Sequence, residues 1–191
     1  MVPLTGKGGS EKFSPGRRLC DLVCNKDPCF CWDDEVYAPA EDTWLAWRLL
    51  EGLPEVGGLG VDVGTGSCVL MNVLARKVDF AIGIDINPCA AKACKLCSFE
   101  AALCNSTSCL SRPADLAVAN LPYLPCEDDP ATCWKWGREV LEHLKVKKGG
   151  YLVLVWSSLT PEFELRGYEA LRVEEVSLGF ETLRGAVFRR L

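Results

Sequence analysis

The chain has 191 residues, 49% of them hydrophobic, enough for one α/β domain with a sizeable core and too few for two. Its net charge of −5 is the wrong sign for a surface that must neutralise a run of phosphates, which argues against extended nucleic acid as a partner. The single histidine, His143, reads as a helix-end residue, and its isolation excludes chemistry built on an imidazole base beside a serine or cysteine nucleophile.

No apolar run is long enough to cross a bilayer, and the N-terminus lacks the charged-then-apolar layout of an export signal. A soluble, cytoplasmic protein without membrane contact is expected. Twelve cysteines are then unusual, because ordinary cytosol keeps thiols reduced and intracellular proteins of hyperthermophiles are the exception. The sequence has no glutamine and only two methionines, which leans the same way. Internal disulfides in a thermophile are expected.

In chain order, residues 1–16 are rich in Gly, Ser, Lys and Pro and read as a flexible terminus. Residues 17–191 read as one domain. It starts with a cysteine-rich hairpin of runs Arg18–Cys24 and Cys29–Tyr37 about the turn residues Asn25-Lys26-Asp27-Pro28. The spacing of Cys20, Cys24, Cys29 and Cys31 favours disulfides or packed thiols over a zinc site. A helix is predicted over Ala40–Glu51, with Asp42 or Thr43 as its cap. Strand Val61–Val63 enters Gly64-Thr65-Gly66-Ser67, and a helix over Cys68–Arg76 follows. Strand Phe80–Ile84 ends at Asp85, and Pro88 opens a helix to about Ser98. On that helix Cys89, Cys94 and Cys97 read as small core-facing residues. Phe99–Leu103 and Leu116–Ala119 are further strands, and the second leads into Asn120-Leu121-Pro122-Tyr123. A helix over Trp134–Leu144 closes at Lys147-Lys148-Gly149-Gly150, and Tyr151–Trp156 is a strongly apolar strand. Leu171–Leu178 and Glu181–Phe188 form an antiparallel hairpin about Gly179.

Alternating strands and helices imply a mostly parallel sheet with helices on both faces. With the terminal antiparallel hairpin, this is the Rossmann-like class I methyltransferase architecture. Ligands of such sheets bind beyond the carboxyl ends of the strands. There Gly64 and Gly66 permit close backbone approach, and Asp85, about twenty positions on, suits a ribose diol. Val69 stands where a dinucleotide fingerprint would have its third glycine. With Asp62 ahead of the turn, this favours S-adenosylmethionine as cofactor. On the neighbouring loop, the Asn120 side-chain oxygen and the Leu121 carbonyl can hold an –NH₂ group, Pro122 fixes the turn, and Tyr123 offers a flat wall.

Asn120-Leu121-Pro122-Tyr123 is similar to the (Asn/Asp)-Pro-Pro-(Tyr/Phe) signature of nitrogen methyltransferases. Val36-Tyr37-Ala38-Pro39-Ala40-Glu41-Asp42-Thr43 resembles the upstream motif of HemK-like enzymes, which methylate the Gly-Gly-Gln glutamine of translation release factors. Over residues 35–190 the chain most resembles the short archaeal and eukaryotic branch. The resemblance implies that Tyr37, Glu41, Asp42 and Thr43 lie near the methionine moiety, and that Asp62, Gly64 and Gly66 form the cofactor turn. It implies Asp85 on the ribose, Asn105 where the family carries an adenine-binding Asp, and Asn120 and Tyr123 on the substrate amide. Leu121 departs from the family's first proline, though the carbonyl that position supplies is retained. The branch often works with a small zinc-binding activator subunit, so a heterodimer is a further expectation. Two other functions share these features: an RNA or DNA adenine N6-methyltransferase, whose substrate also offers a planar –NH₂, and a non-catalytic S-adenosylmethionine-binding scaffold.

Overall fold

Two short strands open the structure, a computed structural model that describes residues 20–125 and 133–191. β1 (Val23–Lys26) and β2 (Cys29–Trp32) pair antiparallel around the cis Asp27-Pro28 bond, in the expected hairpin but over shorter stretches. The expected flexible segment 1–16 lies outside the described residues. So few backbone pairs hold a hairpin weakly, and sulfur supplies the rest. Cys24–Cys31 bridges the two strands, while Cys20–Cys89 and Cys29–Cys97 tie them to α3 (Pro88–Leu96). Cys68–Cys94 and Cys104–Cys109 are also bonded, and Cys133 is disulfide-linked. Cys89, Cys94 and Cys97 are buried, as expected of small core-facing residues, and each is also half of a disulfide. Helical periodicity marks a buried face, but it does not distinguish a thiol from half of a disulfide.

The helix after the hairpin, α1 (Glu41–Glu51), is capped at Ala40 and not at Asp42 or Thr43. Thr43 is instead the third helical residue and accepts a bond from the Ala40 N–H at 3.4 Å. Leu45, Ala46, Leu49 and Leu50 are buried on one face of α1, as the spacing predicts.

Seven strands make the main sheet, in the order β5-β4-β3-β6-β7-β9-β8. β3 (Leu59–Val63), β4 (Phe80–Asp85), β5 (Glu100–Leu103), β6 (Ala114–Ala119) and β7 (Val146–Ser157) are mutually parallel. β8 (Tyr168–Ser177) and β9 (Thr182–Arg190) form the predicted antiparallel hairpin, with β9 against β7 and β8 at the edge. Alternation along β6 sends Leu116 and Val118 to one core and Ala117 and Ala119 to the other. α1 and α2 (Met71–Leu74) contribute to the first core, and Val140 and Leu141 of α4 (Trp134–Glu142) pack against the second. Helices thus flank both faces. None among the described residues is long and apolar enough to cross a membrane.

Two further expectations are corrected. The helix predicted over Cys68–Arg76 is reduced to the four residues of α2. Cys68 sits at φ 69° with its N–H on the Thr65 carbonyl at 2.8 Å and its sulfur tied to Cys94, a left-handed conformation that a right-handed helix cannot include. Lys147–Gly150 does not close α4 but belongs to β7, where the pairing slips between Ala114 and Leu116 and the extra residues bulge. Lys147 reaches Asp115 at 3.0 Å, and Gly149 takes φ +80°. His143 is the C-cap of α4, as its position suggests.

Candidate functional site

In-register pairing brings three strand ends to one level. Val63 of β3 pairs with Ile84 of β4 and Ala119 of β6, so Gly64, Asp85 and Asn120 are adjacent as the strands end. Strand order reverses between β3 and β6, and the crevice at such a switch point is where open α/β sheets bind ligands.

On the β3–β4 side the backbone is held tightly. Gly64 and Thr65 donate to the Ile84 carbonyl at 2.8 and 3.1 Å. The Thr65 hydroxyl donates to Asp62 Oδ2 at 2.7 Å, and Gly66 N–H donates to Asp85 Oδ2 at 3.0 Å. Asn87 N–H donates to Asp85 Oδ1 at 2.9 Å. Each Asp85 oxygen keeps a further lone pair, so the carboxylate can still accept from a diol. Gly64 and Gly66 have φ of +71° and +48°, and a Cβ on Gly64 would stand 3.1 Å from a Leu121 methyl. Glycine is what this turn requires. Burial drives the Asp62 carboxyl up to about 7, against the Thr65 hydroxyl bond and with Asp85 adding to the rise. Burial also raises Asp85, opposed by its backbone donors. An adenosyl group fits this donor set, and Ile86, 75% exposed beside Asp85, adds an apolar surface that no sequence motif marked. Asn105 lies in the exposed loop after β5, two residues past Leu103, the β5 partner of Asp85. The Cys104–Cys109 disulfide closes that loop.

On the β6 side a second network joins two motifs far apart in sequence. Asp42 and Thr43 are both buried at the start of α1. Asp42 Oδ1 accepts from the Thr43 N–H at 2.6 Å and the Thr43 hydroxyl at 3.1 Å, and Oδ2 accepts from the Tyr123 hydroxyl at 3.2 Å. Asn120 Nδ2 donates to Thr43 Oγ1 at 3.2 Å, leaving Asn120 Oδ1 buried with no partner. Buried polar atoms are normally satisfied, so a vacant acceptor in a crevice marks a place for a donor. Burial and then Asp42, Glu181 and Tyr37 hold the Tyr123 hydroxyl well above the usual phenol range. Partial burial, followed by Asp42, Glu41 and Glu181, raises the Tyr37 hydroxyl to about 12.

Leu121 is buried, and Pro122 lies against α4 where Gly137 comes so close that a Cβ there would overlap the Pro122 carbonyl. Asp62, Gly64, Gly66 and Asp85 thus form one group, and Asp42, Thr43, Asn120 and Tyr123 another. Tyr37 and Glu41 are exposed beside the second, and Asn105 borders the first. Glu181 was missed, because nothing near it in sequence resembles a motif and only the β8–β9 pairing carries it to this rim.

No protein-family model matches the chain. A relative in Methanocaldococcus jannaschii, named "Putative protein N5-glutamine methyltransferase", is 33% identical over 156 residues, covering 68% of this chain and 76% of the relative. A chain of the E. cuniculi Mtq2–Trm112 complex, which is responsible for methylation of the eRF1 translation termination factor, superposes with a TM-score of 0.65 at 23% identity over 82% of this chain and 99% of that one. The Bradyrhizobium japonicum N-methyltransferase NodS, bound to S-adenosyl-L-homocysteine, gives 0.55 at 18% identity over 78% of this chain and 85% of NodS. The structural neighbours share the fold.

Proposed function

Because the chain belongs to the protein N5-glutamine methyltransferase family, whose methyl donor is S-adenosylmethionine, we propose that it methylates the glutamine side chain in the Gly-Gly-Gln loop of a translation release factor. The observation that carries this reading is the buried, unpartnered Asn120 Oδ1 beside the Gly64–Asp85 turn.

Bound S-adenosylmethionine supplies a methyl group on a positively charged sulfur, for which alignment and exclusion of water matter more than a strong base. Asp62 and Thr65 brace the turn whose Gly64 and Gly66 backbone would adjoin the cofactor, Asp85 would accept from the ribose hydroxyls, and Asn105 and Ile86 would flank the adenine. Tyr37 and Glu41 border the methionine end. Asn120 Oδ1 accepts one amide N–H of the substrate and the Leu121 carbonyl accepts the other. Acceptors on both N–H bonds return electron density to a nitrogen that otherwise lends its lone pair to its own carbonyl. Tyr123 supports the amide plane, and Pro122 fixes the loop. Asp42 and Thr43 hold Asn120 and Tyr123 in place.

The Trm112 subunit in the Mtq2 complex supports a small partner subunit for this chain as well, and we infer from the resemblance of the sequence to the short archaeal and eukaryotic branch that this partner binds zinc. A release factor as substrate implies the cytoplasm, and the density of disulfides there fits a thermophile.

Tritiated S-adenosylmethionine offered with purified release factor, with ribosomal RNA and with no acceptor tests the reading, both with and without a candidate partner subunit. Label on the release factor glutamine is expected. Label in RNA alone would make the enzyme an adenine methyltransferase, and label in neither would make the chain a scaffold.

A further inference from the structure

Among the described residues two buried side-chain oxygens have no hydrogen-bond partner, Asn120 Oδ1 and Glu181 Oε1. Sixty residues separate them, yet both occupy the rim beyond the carboxyl ends of the parallel strands. β9 runs antiparallel to β7, so its first residues lie where β7 finishes, with Leu183 opposite Ser157. Thr182 accepts from Ser158 N–H at 2.8 Å and donates to the Ser158 hydroxyl at 3.0 Å, while the Glu181 carbonyl takes the Leu178 N–H at 2.7 Å. The backbone carrying Glu181 is thereby fixed on both sides. Leu178, Leu183 and Tyr123 pack into one core cluster with Leu45 of α1. The Glu181 charge acts on Tyr123 behind burial and Asp42, and on Tyr37 behind burial, Asp42 and Glu41.

Building on the function proposed above, we propose that Glu181 receives the proton that the amide nitrogen must release once it carries the methyl group. In the transfer the nitrogen lone pair forms the new N–CH₃ bond while the C–S pair stays on sulfur. The nitrogen is then positively charged and has one hydrogen too many. As the nitrogen turns tetrahedral, one N–H stays on Asn120 Oδ1 while the other leaves the Leu121 carbonyl and passes its proton to Glu181 Oε1. This gives a neutral N-methylamide and a carboxylic acid, which returns the proton to water when the product leaves.

The other titratable groups on the rim are less suited. Asp42 Oδ1 already accepts two bonds from Thr43 and Oδ2 one from Tyr123, so its charge is engaged in holding those groups, whereas Glu181 Oε1 has no donor. Tyr37 and Tyr123 hold their own protons firmly. Glu41 is exposed on the first turn of α1, where water competes for it. A side-chain amide such as Asn120 is not a base. Glu181 combines a shielded, vacant lone pair with a negative charge, which also favours the positive nitrogen as it forms. A carboxylate oxygen buried without a donor weakens the fold, and a proton from the substrate would satisfy it.

Glu181→Gln keeps the size and accepts hydrogen bonds but cannot take a proton, and Glu181→Asp retains the acid. Single-turnover transfer to purified release factor should be followed across pH, with cofactor affinity measured by calorimetry, under the conditions where the wild type is active. Glu181→Gln is expected to slow transfer by about 100-fold and to lose the fall in rate at acid pH. Cofactor affinity should hold, and Glu181→Asp should keep the acid limb. A Glu181→Gln enzyme with the wild-type rate, or a slow one whose acid limb persists, overturns the proposal. Failure of the wild type to methylate the factor at all would instead overturn the functional reading, and this proposal with it.

Discussion

Thr43 Oγ1 lies 3.2 Å from Asn120 Nδ2, and this contact fixes which end of the Asn120 amide faces the crevice. A carboxylate only accepts, so the Thr43 hydroxyl must donate to Asp42 and can offer Asn120 only a lone pair. The NH₂ of Asn120 therefore turns toward Thr43, and its oxygen is left for a substrate donor.

Thr43→Val tests that orientation, since it preserves shape and removes the hydroxyl. The amide is then free to flip. Methyl transfer should fall about 10-fold while cofactor affinity is retained, and unfolding in denaturant should show a loss of about 1–2 kcal/mol.

Asn120→Ala removes the acceptor itself. Turnover should drop by about 100-fold or more, in line with losing one preorganised polar contact at a reacting centre. Calorimetric affinity for S-adenosylmethionine should remain near the wild-type value. A collapse in that affinity would reassign the loop to cofactor binding.

Gly137→Ala gives a less intuitive outcome. Alanine favours a helix interior over glycine by about 1 kcal/mol. Here its methyl would overlap the Pro122 carbonyl, which belongs to backbone that must shift to admit it. The variant should therefore be less stable, and the displaced loop should slow transfer more than it weakens cofactor binding.

Asp62 makes stability depend on pH. Its carboxyl is held at about 7 in the folded protein against an ordinary value of 3.8. Between those values the unfolded chain has released the proton and the folded chain has kept it, so stability falls as pH rises through this window. Asp62→Asn cannot ionise. Subtracting its denaturation midpoints from those of the wild type across the window should isolate this slope, with the wild type gaining relative to the variant toward acid pH.

The two disulfides from the hairpin to α3 span 69 and 68 residues and cross one another in sequence. While one is intact it keeps most of the long loop closed. Removing either alone should cost about 3 kcal/mol, and removing both more than twice that. Denaturant melts of the two double-serine variants and of the fourfold variant give the comparison.

The centre of the sheet was legible in the sequence because β3 and β6 are buried apolar runs, and the Gly64 and Asn120 loops follow those runs directly. The early end of α2 was not, because it depends on the Cys68–Cys94 bond, which is a fact about distance in space. The bulge at Lys147–Gly150 escaped for a similar reason. Two glycines after two lysines resemble a helix stop until the partner strand sets the register. The motif around Asp42 and Thr43 drew attention for the cofactor, while their hydrogen bonds run to Asn120 and Tyr123. Glu181 could not be found at all without knowing that β9 lies between β7 and β8.

That placement of β9 also sets an order for assembly. The strand that links the parallel part of the sheet to the edge strand β8 follows both of its neighbours in the chain, so β7 presents a bare, apolar edge until Thr182–Arg190 has left the ribosome. Gly185 must then slide under Leu45 and Leu49 of α1, a helix made long before, and seal a core that has waited for it. A nascent chain stalled before Glu181 would be sticky and would lack that rim residue, so one stretch of chain completes both the sheet and the rim.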